Sequence, residues 1–316
     1  MKSRFMQLCE EIYQILALSS MTLKSDADGA VMATFRVHEV EIRLMSQSEG
    51  SQVVVSRVDF GPLVESRFAD AWSEMLEANA QLFTQGGPVL TRDPRNANLI
   101  MQQRWVGSRL SYDLASGLSK QSLSASRWGA EEDQSFDHLL EAYAGVAAPA
   151  ALEEREVRER NKRFAALHAE LARDTGVASV DGEFDLASEL GLFSVLVDGE
   201  QVQVALVPRG PSFIHLTASV GWAQEWRQGA ARDLAATATW MVHLPFHAAA
   251  YRFGGMDLLG AALPMDEGLV IEEVWRALAW VAGGSRSLRQ GMMDRTLPGS
   301  SPQSTQESIA TSRALI

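Results

Sequence analysis

Apolar and polar residues alternate three times in quick succession between Val31 and Phe60. Val31, Ala33, Phe35 and Val37 form the first row, Val40, Ile42 and Leu44 the second, and Val53–Phe60 the third. A period of two predicts strands with a buried face, and the breaks at His38-Glu39 and Ser46–Ser51 predict an antiparallel meander. Gly61-Pro62 reads as its end, with Pro62 placed to open a helix. Upstream, Phe5, Leu8, Cys9, Ile12, Ile15 and Leu16 recur at helical spacing, which predicts an amphipathic helix over 3–18 with Ser3 as N-cap. Cys9 lies inside that stripe and reads as a buried small hydrophobe. Ser25–Gly29 reads as the turn into the meander.

Downstream, a long helix is expected over 63–83, its apolar face marked by Phe68, Trp72, Met75, Leu76, Leu82 and Phe83 and interrupted by Asn79. Gly86-Gly87-Pro88 stops it, and Val89–Thr91 and Leu99–Val106 are candidate strands. Residues 107–130 are rich in Ser and Gly with little periodicity and read as a loop or mobile insertion. A helix over 132–146 follows. In Glu153–Arg163, Glu-before-Arg pairs four residues apart predict a solvated helical connector, not a nucleic-acid tract.

The pattern then starts over. Phe164, Leu167 and Leu171 line a helix. Phe193–Val197, Val202–Leu206 and Phe213–Val220 repeat the three strands. Trp222–Met241 reads as a long helix opened by Gly221, where the first half has Gly61. Ala248–Phe253 and Met256–Leu263 form a hairpin, and a last helix from Ile271 to Val281 is closed by Gly283-Gly284. Matching elements lie about 160 residues apart, the mark of a duplicated domain. The expected fold is α+β: two tandem α-β-β-β-α-β-β-α units, each an antiparallel twisted sheet packed with helices. The divisions are 1–147, the connector 148–163, the second unit 164–284, and a polar tail over 285–316 expected to be disordered.

Composition changes this picture little. The chain has 316 residues, is 46% hydrophobic and carries a net charge of −12, enough material for two cores and the wrong sign for nucleic acid or an anionic membrane. No apolar run reaches membrane-spanning length, and the first residues lack the apolar core of a signal peptide. A cytoplasmic protein without membrane insertion is the expectation. The single cysteine rules out an intramolecular disulfide.

Candidate chemistry is sparse. No phosphate-binding loop, dinucleotide fingerprint or nucleophile elbow is present. His243 and His247 have the spacing of a zinc pair, but Pro245 opposes a helix between them and no Glu follows His243, so both read as ordinary loop histidines. His215 alternates with Phe213 on a strand and reads as packed. No catalytic set, cofactor or metal is expected, and the chain does not read as an enzyme. The tryptophans of the long helices, Trp72, Trp222, Trp226 and Trp240, fit either core packing or a helix-mediated interface. With Phe68, Met75 and Leu76 they are the candidate unit–unit interface.

The amphipathic helix Phe5–Leu16, the meander around Phe35, Val37, Val40, Ile42 and Leu44, and the phrase Phe68–Asn79 together resemble the class I chaperones of bacterial type III secretion, the Tir-chaperone-like family. The resemblance covers about 1–146, and 161–284 by pattern only. Family members are usually single domains of about half this length that dimerise, so the resemblance implies an intramolecular pseudo-dimer, with further self-association open. It implies a chaperone that holds an extended N-terminal segment of a secreted effector, or a component of the apparatus, over apolar patches and sheet edges without ATP. A regulator or scaffold of the secretion system that kept the fold and binds a folded partner is the alternative. The third strand of the first meander is apolar on both faces, so Val53, Val54, Val55, Val58 and Phe60 are candidate partner-binding residues, with Ile214 and Leu216 of the second.

Overall fold

The computed structural model describes residues 3–25, 30–46, 53–63, 71–84, 86–93, 96, 98–105, 110–130, 135–144, 154–173, 180–181, 191–206, 213–225, 231, 233–234, 246–265 and 269–294. The protein is α+β with two antiparallel sheets. It divides into two compact units: Met1–Ala150 with Ala235–His247, and Ala151–Leu234 with Ala248–Ile316.

Unit 1 opens with α1 (Arg4–Ile15), capped by the Ser3 hydroxyl, which accepts from the Met6 N–H at 3.3 Å. Its buried stripe is Phe5, Leu8, Cys9 and Ile12. Four strands follow, β1 (Met21–Ser25), β2 (Val31–Val37), β3 (Val40–Ser46) and β4 (Val54–Pro62), then α2 (Ala71–Phe83), β5 (Val89–Arg92), β6 (Asn98–Trp105), α3 (Leu110–Ala130) and α4 (Phe136–Ala144). The sheet order is β1-β2-β3-β4-β6-β5. The expected meander is present. His38 and Glu39, at φ 49° and 65°, make the two-residue turn whose twist matches the strands on either side. Ala33, Ile42, Leu44 and Val58 on its inner face are fully buried, and α3 packs across β2, β3 and β4.

Three expectations change in this unit. Residues 110–130 form a helix, not a loop. Their small and polar residues hid it because they are the packing surface: Gln121, Ser122 and Ser124 are fully buried. A Cβ at Gly117 would overlap the Trp105 ring, so glycine is what lets α3 close onto the sheet. Gly61 and Pro62 do not open a helix but end β4. Gly61, at φ 83°, forms a bulge where the β4–β6 register shifts between Asp59 and Gly61. Strand β1 was not expected, because four of its five residues are exposed and its apolar alternation amounts to Met21 and Leu23 alone.

Unit 2 begins with α5 (Glu154–Arg173), which joins the charged connector and the following helix in one element. Arg160 and Asn161 are buried, so the connector is not solvated throughout. Then come β7 (Val180–Asp181), β8 (Leu192–Val197), β9 (Glu200–Leu206), β10 (Phe213–Trp222), a short 3-10 turn at Ala223–Glu225, β11 (His247–Phe253), β12 (Met256–Pro264) and α6 (Ile271–Asp294). Sheet 2 has the order β7-β8-β9-β10-β12-β11. Traced from the first strand of each unit, the two orders are the same, with one strand more before the meander than the sequence pattern suggested.

The registers agree residue by residue. Leu44 pairs with Ser56 and Ser56 with Gln103; Val204 pairs with Leu216 and Leu216 with Ala261. The β10–β12 register shifts between Ser219 and Gly221, at the place of the bulge in β4. Gly221 therefore repeats the role of Gly61 as a bulge residue and does not open a helix. Trp222 ends β10, and of the helix expected over 222–241 only 231 and 233–234 are described as helical; Trp226 and Trp240 lie outside the described residues. Helix α6 runs through Gly283 and Gly284 to Asp294. A Cβ at Gly284 would come within 2.7 Å of Leu259 Cδ2, so this glycine too marks close approach, not a stop. The tail expectation was wrong for 285–294, and 295–316 lie outside the described residues.

Candidate partner-binding surfaces

Strands β4 and β10 are interior, hydrogen-bonded on both sides. Val54, Val55, Val58 and Phe60 on β4 are buried, as are Ile214 and Leu216 on β10, while Val53 just before β4 is half-buried. The expectation that these residues meet a partner is corrected: the chain's own strands and helices cover them. A run apolar on both faces here marks the centre of a sheet.

The interface candidates divide. Trp72, Met75 and Leu76 are buried on α2, with the Arg92 guanidinium 5.6 Å from the Trp72 ring centroid. Phe68 lies outside the described residues. Trp222 is 45% exposed.

The free edges of a sheet are where another chain can add. In sheet 1 those edges are β1 and β5. The β5 edge is already engaged. Asn79 on α2 donates from Nδ2 to the Leu90 carbonyl at 2.8 Å, and its Oδ1 accepts from the Leu90 N–H at 2.7 Å. One buried carboxamide thus pairs a backbone position as a neighbouring strand would. The polar break in the apolar face of α2 has this as its physical reason.

The β1 edge is different. Among the described residues, β1 pairs only with β2. Leu23 sits opposite Ala33 and Met21 opposite Phe35, so both belong to the face that carries the core. Leu23 is 40% exposed, and Ile15 at the end of α1 is 41% exposed. An open backbone edge flanked by apolar side chains can take an extended peptide: main-chain bonds hold it, and alternate side chains find apolar contacts. The sequence signal for this surface was Met21 and Leu23 alone, too little to separate an edge strand from a loop.

Unit 2 is less open at its edges. Strand β7 has two residues, and Ala248–Tyr251 of the edge strand β11 are buried. Two of its exposed apolar side chains lie at the ends of neighbouring strands. Phe253 is 70% exposed and Trp222 45%.

Polar groups inside the units are structural. In unit 1 a buried chain of hydrogen bonds runs from Trp105 Nε1 to Ser56 Oγ at 2.9 Å, from Ser56 Oγ to Gln121 Oε1 at 3.0 Å, and from Gln121 Nε2 to Gln103 Oε1 at 3.0 Å. In unit 2, Arg252 and Asp257 form a buried two-pronged ion pair at 2.7 and 3.2 Å. Burial pushes the Cys9 thiol up to about 12, as its place in the α1 stripe requires of an unreactive thiol. His215 is buried on β10. His247 opens β11 and bonds through Nε2 to the Gly87 carbonyl at 3.0 Å; burial, more than the nearby Arg104, pushes it down to about 4. His243 lies outside the described residues. Among the described residues, no three His, Cys, Asp or Glu side chains gather to hold a metal ion. No described helix is long and apolar enough to cross a membrane. No protein-family model matches the chain, and no curated protein matches its sequence.

Proposed function

We propose that this protein is a tandem secretion chaperone of the class I type III kind, a non-enzymatic binder that keeps an extended N-terminal segment of a secreted effector soluble. The observation that carries the reading is the open β1 edge, with Leu23 exposed on it, in a sheet whose opposite edge is already engaged by Asn79. The repeat of strand order and register supports the tandem part: two copies of one unit in one chain would stand for the two subunits of a dimeric chaperone, a pseudo-dimer. The net charge of −12 suits a partner with a basic, unstructured segment.

The test is capture from the native cytosol with this protein as bait. The expected catch is one secreted protein, lost when its first hundred or so residues are deleted. Leu23→Asp places a charge on the β1 edge and should weaken that capture about tenfold, with circular dichroism unchanged. A catch consisting only of folded proteins, insensitive to Leu23→Asp, would instead support the regulator or scaffold reading.

A further inference from the structure

Two adjoining strand pairs align three apolar side chains at one end of sheet 2. Gly254 and Gly255, at φ 59° and 79°, form a two-residue turn that sets Phe253 opposite Met256. Met256 in turn pairs with Trp222 across β10 and β12. Directly paired residues share a face, so Phe253, Met256 and Trp222 form one row across three strands. Phe253 is 70% exposed, Trp222 45%, and Met256 half-buried. The matching end of sheet 1 is polar: Pro62 pairs with Asn98, whose carbonyl accepts from the Asp93 N–H at 2.9 Å. The row is thus a property of unit 2 and not of the shared architecture.

Its size restricts what can occupy it. The two aromatic rings leave on the order of 250 Å² open, well short of the roughly 800 Å² that each side of a stable interface between separate proteins buries. A tethered segment needs far less, because a short linker supplies an effective concentration in the millimolar range.

Such a segment is at hand. Helix α6 ends at Asp294, five residues after Arg289, whose side chain reaches β10. Arg289 donates to the Ser219 carbonyl at 2.7 Å and to the Val220 carbonyl at 3.0 Å, on the stretch of β10 that leads into Trp222. Residues 298–308 (PGSSPQSTQES) are polar, and the apolar residues beyond them are Ile309, Leu315 and Ile316. A spacer of that composition spans roughly 5–6 Å times the square root of its length, about 20 Å here. The strand from Ser219 to Trp222 covers only about 10 Å at roughly 3.3 Å per residue.

We propose that residues 309–316 dock within the same molecule on the Phe253–Met256–Trp222 row, covering it with Ile309, Leu315 and Ile316. This holds whatever the β1 edge binds.

A photo-crosslinking residue at Leu315 in the full chain reads the contact directly. The expected product is intramolecular, independent of protein concentration, and maps to peptides containing Trp222 or Phe253–Met256. In a chain ending at Asp294 the hairpin amides of residues 252–257 should exchange about threefold faster, and a peptide of residues 305–316 added at millimolar concentration should slow them again. The Trp222→Ser/Phe253→Ser variant should lose the crosslink while keeping its melting temperature, since both side chains are exposed. Crosslinks elsewhere, crosslinks between molecules that rise with concentration, or unchanged exchange after truncation would overturn the proposal. No readout uses a secreted partner, so failure here is separate from failure of the chaperone reading.

Discussion

Ser56 and Leu216 occupy the same place in two sheets of the same strand order. Each lies on the fourth strand, opposite a core aliphatic residue of the third, three residues before a bulge. Yet Ser56 joins a buried hydrogen-bond chain with Trp105, Gln121 and Gln103, whereas Leu216 sits beside Val204 and Ala261 in an aliphatic layer under α6. Strand order and register tolerate either solution. What differs is how the helix is held. Unit 1 places α3 by directional bonds, and unit 2 places α6 by packing, with Arg289 and Glu200 tying its far end at 3.1 Å. A satisfied polar chain fixes one arrangement but leaves orphaned groups when any member is lost; an aliphatic layer loses area and leaves a cavity.

The largest test of that contrast is Leu216→Ala, which should cost unit 2 about 2–5 kcal/mol in urea denaturation. At the matching site, Ser56→Ala removes few atoms, so a pure packing account expects almost nothing. Because it strips partners from Trp105 Nε1 and Gln121 Oε1, the expected cost is about 1–3 kcal/mol. A neutral Ser56→Ala would break the comparison.

Acid should act through unit 1. His247 is held neutral, down to about 4 from an ordinary 6.5, so as pH falls the unfolded chain takes up the proton first. Stability is intact above about 6.5 and declines between 6.5 and 4. The ring is only partly shielded from solvent, so the loss should be about 1–2 kcal/mol, below the roughly 3 kcal/mol that the full shift would give. Denaturation midpoints measured from pH 7 to pH 4 should fall in the wild type and flatten in His247→Gln.

Two further tests follow from the glycines. Gly117→Ala drives a methyl into the Trp105 ring, which its bond to Ser56 holds in place, and should destabilise by about 1–3 kcal/mol. Gly284→Ala meets only the mobile end of Leu259 and gains helix propensity, so it should change stability by less than about 0.5 kcal/mol. Smallest of all, the matching β2–β3 and β8–β9 turns carry His38-Glu39 and Asp198-Gly199 at positive φ. Glu39→Gly relieves a left-handed residue but frees the unfolded chain, so it should raise stability in urea denaturation by only about 0.3 kcal/mol.

The sequence made the meanders plain because each inner row is a strict alternation over a fully buried face: Ala33 and Phe35 against Leu44 and Ile42, and Val195 against Val202. Alternation reports burial, however, and burial does not say what does the covering. Hence Val54, Val58 and Leu216 looked like partner contacts when neighbouring strands and helices of their own unit cover them. Helix α3 was missed because its packing face is written in Ser, Gln and Gly, the same letters as a loop. Gly61, Gly283 and Gly284 read as ends of elements and Gly221 as the start of one; Gly61 and Gly221 form bulges and the other two lie inside α6. The β1 edge was illegible because an open edge strand carries almost no buried residues.

The bond from His247 to the Gly87 carbonyl joins residues 160 positions apart inside one unit. A ribosome adding about 5–20 residues per second reaches His247 some 8–30 s after Gly87. Through that interval unit 1 holds a gap in its own inventory, since the segment Ala235–His247 assigned to it is still unmade. The Gly87–His247 bond can therefore form only once residues 151–234 of the second unit have been made.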